Sequence, residues 1–179
     1  MTKAKKKKGL TDSWCSPPEI AVPLEAFFEG PVDVDPCSND RSIIRSRLAF
    51  EVGGLILPWR VKDPRARGTC YQNDPYSKAD LWTTKMLAEI ACGNVQEIIR
   101  LSMFACSTRW WADMCYKPAR NPRILALRRL SFLDPEAAER GMTRLTCRFE
   151  PALTYIGPRP ERFDRIFAHL TRWSAWGRS

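Results

Sequence analysis

The sequence holds one histidine, His169, and no two cysteines at the Cys-x-x-Cys spacing. Its seven cysteines, at 15, 37, 70, 92, 106, 115 and 147, are odd in number and widely scattered, which speaks against a disulfide framework and against zinc. Thiols spread in this way are expected to pack as small apolar groups. Long apolar runs are also missing. No stretch approaches the roughly 20 apolar residues of a membrane span, and no signal-peptide pattern follows Met1, so a cytoplasmic protein is expected. Glycine is sparse, nine residues in 179. The Gly-x-Gly-x-x-Gly phosphate fingerprint is absent, which fits a ligand without a pyrophosphate.

What the chain does have is apolar material and positive charge. A hydrophobic fraction of 44%, with eight Phe, four Tyr and seven Trp, supplies the core of one modest domain and excludes wholesale disorder. The 29 Lys and Arg against 20 Asp and Glu leave a formal charge of +9, unevenly placed. Lys3 and Lys5 to Lys8 contribute +5, residues 9–116 are net −3 and residues 117–179 are net +7. The expected division is a disordered lysine-rich arm over 1–9 and one folded domain over 10–179. The basic regions point to a polyanion as partner.

Along the chain, Pro17-Pro18 leads into a helix that Gly30-Pro31 stops, with Pro23 as a kink or a later start. Short strands are predicted at 32–35 and 69–72, and 41–68 reads as a long irregular, functional loop. A helix follows from Ser77, then a buried strand over 95–104 and a short helix over 108–116. Strands are predicted over 124–132 and 145–156 and a final helix over 161–173, with His169 packing on its apolar side. Strands alternating with helices argue for an α/β domain with a mostly parallel central sheet. Ligands bind such sheets beyond the carboxyl ends of the strands, where two polar turns fall: Asp35-Pro36-Cys37-Ser38 and Asn73-Asp74-Pro75-Tyr76-Ser77.

In order, these elements resemble the phage-type DNA N6-adenine methyltransferase (Dam) family. Trp14-Cys15-Ser16-Pro17 is similar to its Trp-x-Thr-Pro opening, and Asp33-Val34-Asp35-Pro36-Cys37-Ser38 to its Asp-x-Asp-Pro-Cys-Ala strand end. Gly54-Leu55 followed by Trp59 resembles its Gly-Leu…Trp loop, and Asn73 to Ser77 its Asn-Pro-Pro-Tyr-Ser catalytic turn. Thr108 to Trp111 resembles a Thr-x-x-Trp segment, and Gly157 to Pro160 a Gly-Pro-Arg-Pro tail.

The resemblance implies a single Rossmann-like domain that transfers a methyl group from S-adenosylmethionine to adenine N6 in DNA, without metal and without a membrane. It also implies a phage or prophage enzyme acting without a partner nuclease. The implied catalytic residues are Asn73, Asp74, Pro75 and Tyr76. The Asn73 side chain and the Asp74 carbonyl would hold the two hydrogens of the amine, and Tyr76 would stack on the flipped base. Trp14, Ser16, Pro17, Asp35, Pro36 and Cys37 are the implied cofactor residues. Arg109, Trp110, Lys117, Arg120 and Arg123 are candidates for DNA contact, beside the basic loop between the two turns. Asp74 stands where the family has proline, so an inactive DNA-binding relative is the alternative reading. Pro36-Cys37 is not expected to be a cytosine-type thiolate nucleophile, because Asp35 beside it opposes thiolate formation.

Overall fold

The computed structural model describes residues 13–119, 121–133 and 144–171. The lysine arm and Trp173 lie outside them.

Helix α1 (Pro18–Phe28) starts at Pro18, where a missing N–H costs nothing and the ring presets φ. It continues past Pro23, an interruption worth about 3 kcal/mol in an isolated helix. Burial of Ile20, Leu24, Phe27 and Phe28 on its inner face opposes that cost. Glu29 in the left-handed region and Gly30 then end it, and the Gly30 N–H returns to the Glu25 carbonyl at 3.0 Å.

The strands are β1 (Val32–Asp35), β2 (Ser46–Ala49), β3 (Thr69–Gln72), β4 (Glu97–Met103), β5 (Arg123–Ala126), β6 (Ser131–Phe132), β7 (Leu145–Thr146) and β8 (Pro151–Ile156). The other helices are α2 (Ala79–Ala91), α3 (Arg109–Tyr116) and α4 (Pro160–Phe167). Six strands form one sheet in the order β2-β1-β3-β4-β8-β5, and β6 pairs with β7 in a separate ribbon. β2, β1, β3 and β4 are parallel, and β8 runs against both β4 and β5. The expected α/β architecture with a mostly parallel central sheet is therefore present.

Alternation along β3, β4 and β8 splits the core into two layers, and on β1 Val32 at the strand start joins one layer and Val34 the other. Val32, Tyr71, Ile99, Leu101, Leu153 and Tyr155 face α1 and α4. Val34, Cys70, Ile98, Ala152 and Ile156 face α2 and α3. In the first layer Phe27 is the hub, with Phe28, Tyr155, Phe163 and Phe167 around its ring.

Several expectations change. Residues 41–68 contain the edge strand β2, whose exposed Arg47 masks its pattern; charge on an edge strand discourages pairing with another chain. Residues 124–132 are two strands: after Ala126 the chain leaves the sheet, and the Arg128 N–H donates to Leu170. Residues 145–156 also divide, because Pro151 lacks an N–H and is suited only to a strand start. The last helix gives way after Phe167 to a 3₁₀ turn, Ala168–Leu170. His169 is exposed there, so it does not pack in the core. The cysteines are of mixed burial: Cys15, Cys70 and Cys147 are buried, whereas Cys92 and Cys106 are exposed.

Candidate functional site

Parallel pairing brings four loops to one edge of the sheet: 36–45 after β1, 50–68 after β2, 73–75 after β3 and 104–108 after β4. Trp14 to Pro17 joins them from the start of the described chain. Cys15 holds it there through a two-way bridge, its N–H donating to Leu133 at 2.8 Å and its carbonyl accepting from Leu133 at 3.1 Å. Between these segments opens a cavity of about 370 Å³. Its walls are Trp14, the Pro36–Asn39 turn, the Phe50–Ile56 loop, Asn73, Pro75 and Trp82. The sequence-predicted turns thus meet around one space.

Asn73 is oriented by the opening segment. Its amide nitrogen donates to the Trp14 carbonyl at 3.0 Å and to Ser16 Oγ at 3.2 Å. Ser16 Oγ in turn lies 2.6 Å from the Tyr71 hydroxyl. The Asn73 side-chain oxygen is left as an acceptor, and the Tyr76 hydroxyl reaches it at 3.4 Å. Tyr76 follows in a 3₁₀ turn, Tyr76–Lys78, buried edge-on against Phe149. Burial holds the Tyr76 phenol well above its ordinary pKa, so it stays protonated.

The Asp74 side chain does not face the cavity. Its carboxylate turns inward to a bidentate pair with Arg100, Nε to Oδ1 and Nη2 to Oδ2 both at 2.8 Å, and Gln72 Nε2 adds a bond to Oδ1 at 2.9 Å. Both ion-pair partners are fully buried. Arg100 lies mid-way along β4, opposite Gln72 in register. Sequence reading missed it, because one Arg inside Glu97-Ile98-Ile99-Arg100-Leu101 was absorbed into an apolar strand pattern. The available signal was that a charge in such a strand requires a buried partner.

Asp35, at the end of β1, is buried behind the cavity wall rather than lining it. Its Oδ1 accepts the Cys37 N–H at 3.1 Å. Burial pushes its pKa up to about 6, against the smaller opposing pull of the Cys37 N–H and the Ser38 hydroxyl. The same burial, with Asp74 and Asp35 nearby, raises the Cys37 thiol well above its ordinary value. It is therefore no thiolate.

The long loop is pinned rather than loose. Trp59 is fully buried: its indole N–H donates to the Gly54 carbonyl at 2.7 Å and its backbone N–H to Glu89 at 3.1 Å. At Gly54 a Cβ would lie 2.0 Å from the Pro36 carbonyl oxygen, so glycine is what lets the second loop close onto the first. Glu51 lines the cavity, whereas Asp63 pairs with Arg47 and Arg65 elsewhere.

The candidate DNA residues divide. Arg109 is exposed at the start of α3, on the cavity side of the sheet, and the Arg100 guanidinium sits 5.0 Å from the Trp110 ring centre. Lys117 is exposed at the far end of α3, paired with Asp113. Arg123 is at the opposite edge of the sheet, level with Ile99 and paired with Asp164, so it is not brought to the site. Arg120 lies outside the described residues. In the basic loop, Arg45, Arg47, Arg65 and Arg67 are engaged by acidic neighbours, whereas Arg41, Arg60 and Lys62 form no ion pair among the described residues. Among those residues there is no cluster of His, Cys, Asp or Glu able to hold a metal, and no helix long and apolar enough to cross a membrane.

Residues 3–150 match the model of the family described as DNA N-6-adenine-methyltransferase (Dam). The chain is also similar to the DNA N-6-adenine-methyltransferase of Haemophilus phage HP1 (strain HP1c1). The two are 24% identical over 160 residues, which span 87% of this chain and 88% of that one. Every cavity-lining residue falls within the matched segment.

Two outcomes follow from this geometry. Gly54→Ala should destabilise the protein by about 1–3 kcal/mol, the usual cost of overpacking, and a denaturant midpoint equal to wild type would refute the close approach. For Asp35, a pKa raised to about 6 from 3.8 means that the folded state holds a proton which the unfolded state has already lost. The penalty is absent below pH 3.8, grows with pH and is complete above about pH 6. Asp35→Asn should therefore raise the melting temperature at about pH 7.5 and leave it nearly unchanged at about pH 4. Equal shifts at both pH values would show that the carboxylate's charge is not what costs stability.

Proposed function

The chain belongs to the DNA N-6-adenine-methyltransferase (Dam) family, and from that premise we propose that it methylates adenine N6 in DNA using S-adenosylmethionine. It would do so in a host cytoplasm, as a phage or prophage enzyme without a partner nuclease. The observation that carries the reading is the Asn73 side chain, held by Trp14 and Ser16 at the rim of a cavity built from the other matched loops. The strand order, with its single reversed strand β8, fits a Rossmann-like methyltransferase sheet.

The residues fit the cofactor. The cavity, about 370 Å³, is within the range of small-molecule sites, and Trp14, Phe50 and Trp82 offer aromatic walls. Glu51 supplies a carboxylate suited to ribose hydroxyls. Asp35 supplies a negative field behind the Pro36–Cys37 turn, suited to a cationic ligand. When bound, S-adenosylmethionine provides a methyl group on a sulfonium centre, open to in-line displacement.

The chain's own task is to position and activate the nucleophile. An amino group conjugated with a purine is a weak nucleophile, because its lone pair is delocalised. Asn73 Oδ1 and the Asp74 carbonyl, as two acceptors, hold its hydrogens and favour the pyramidal nitrogen whose lone pair is free. Tyr76 supplies an aromatic face for a base taken out of the duplex. Its hydroxyl contacts Asn73 Oδ1 in the described state, so reception of the base requires that contact to open. Arg109 and the basic segments supply sequence-independent phosphate attraction.

Expression in a host lacking adenine methylation should leave N6-methyladenine in its DNA, detected by mass spectrometry. Asn73→Ala should reduce turnover by about 100-fold or more, the scale of losing one preorganised polar contact to a reacting group. An unmarked wild-type host, or an equally active Asn73→Ala, would sink the reading. For the cofactor, wild-type affinity should rise as pH rises through about 6, as Asp35 ionises. Asp35→Asn should bind more weakly at neutral pH and without that rise, as read by calorimetry.

A further inference from the structure

We propose that Arg100 is a positioning residue for this reaction: through the Asp74 carboxylate it fixes the Asp74 main-chain carbonyl that the amine meets. The inference rests on the proposed function. Its geometric premise is independent of that function, because all five guanidinium N–H groups have an acceptor. Nε and Nη2 grip Asp74, Nη2 also meets the Ala79 carbonyl at 3.2 Å, and Nη1 meets Thr83 Oγ1 at 2.6 Å and the Met114 sulfur at 3.7 Å. The guanidinium carbon lies over the Trp110 ring, 5.0 Å from its centre.

Two parallel hydrogen bonds fix both the place and the tilt of a carboxylate. With the third bond from Gln72, the Asp74 side chain has little freedom, and a single methylene joins the gripped carboxylate to the backbone. A fully buried ion pair is a poor way to gain stability, since a well-packed apolar pair often does as well or better. What the pair supplies is direction. A proline at position 74 would restrict φ by its ring and keep the same carbonyl acceptor. Here the restraint comes from a charge on the neighbouring strand. Arg100 also ties the turn to α2 through Ala79 and Thr83 and to α3 through Trp110, so the turn moves only with both helices.

The test is a double-mutant cycle on the full chain with Arg100→Met, Asp74→Pro and both together, with thermal unfolding recorded for each. Arg100→Met should lower kcat by about 100-fold, the scale of a small misplacement of a reacting group, while KM for S-adenosylmethionine stays within about twofold. Asp74→Pro alone should melt earliest, because it leaves the Arg100 charge unpaired. The double variant should fold and recover at least about tenfold of the kcat lost in Arg100→Met, because the ring replaces the ion pair as the restraint on φ. A folded double variant no more active than Arg100→Met would overturn the proposal, as would an Arg100→Met with wild-type kcat.

Amide exchange in the free protein gives a readout that does not depend on activity. The Lys78 N–H, which donates to the Pro75 carbonyl at 2.9 Å, should exchange at least about tenfold faster in Arg100→Met and return toward wild type in the double variant. Unchanged exchange in Arg100→Met overturns the positioning role. A wild type that leaves no methyladenine while the exchange pattern holds overturns the proposed function instead.

Discussion

A guanidinium sealed between a sheet and two helices must find an acceptor for every N–H, and that demand orders the centre of this chain. Arg100 leaves β4 on the side of α2 and α3, and its acceptors come from the turn after β3, from the first turn of α2 and from Thr83 one turn later. The turn that carries Asn73 is consequently fixed from below as well as from the side, where Trp14 and Ser16 hold it. Removing either charge alone would leave the other stranded at zero exposure.

Asp35 answers the opposite problem. Among the described residues it pairs with no cation and is served by a backbone N–H and a hydroxyl, so burial dominates and its proton is held to higher pH. The two carboxylates at the strand ends therefore differ in purpose. One is neutralised internally and shapes the backbone; the other is left electrostatically unsatisfied beside a cavity. A fold rarely retains an uncompensated buried acid for packing alone, because an amide or an apolar group of that size would be cheaper.

Much of this was legible before any coordinates. Ile98, Ile99, Leu101 and Met103 mark β4 as a strand buried on both faces, whereas β1 is legible from the alternation Val32-Asp33-Val34-Asp35 and β3 from the polar turn into which Thr69 to Gln72 leads. The two polar turns are legible from their Asp, Asn, Pro and Ser residues, and they border one cavity. Less was legible where the signal is not local. β2 hides behind Arg47, an exposed arginine that serves an edge strand. Arg100 needs a partner far away in the sequence, and nothing at position 100 says which one. Arg123 looked like part of a basic stripe, yet the register of β5 carries it to the other edge of the sheet and beside Asp164. Charge along a sequence is one-dimensional, whereas a basic face is made by topology.

The place of β8 gives the sheet a temporal order. It is the last of the described strands in the chain, yet it sits inside the sheet, between β4 and β5. During synthesis the earlier strands emerge first, at roughly 5–20 residues per second, and wait with an open β4 edge until β8 arrives. Cys15 meanwhile pairs with Leu133, more than a hundred positions later. A ribosome-bound fragment that already displays Asn73 and Tyr76 therefore has β4 as an unpaired edge, and its opening segment still lacks the Leu133 bridge that joins its bonds to Asn73 and Tyr71.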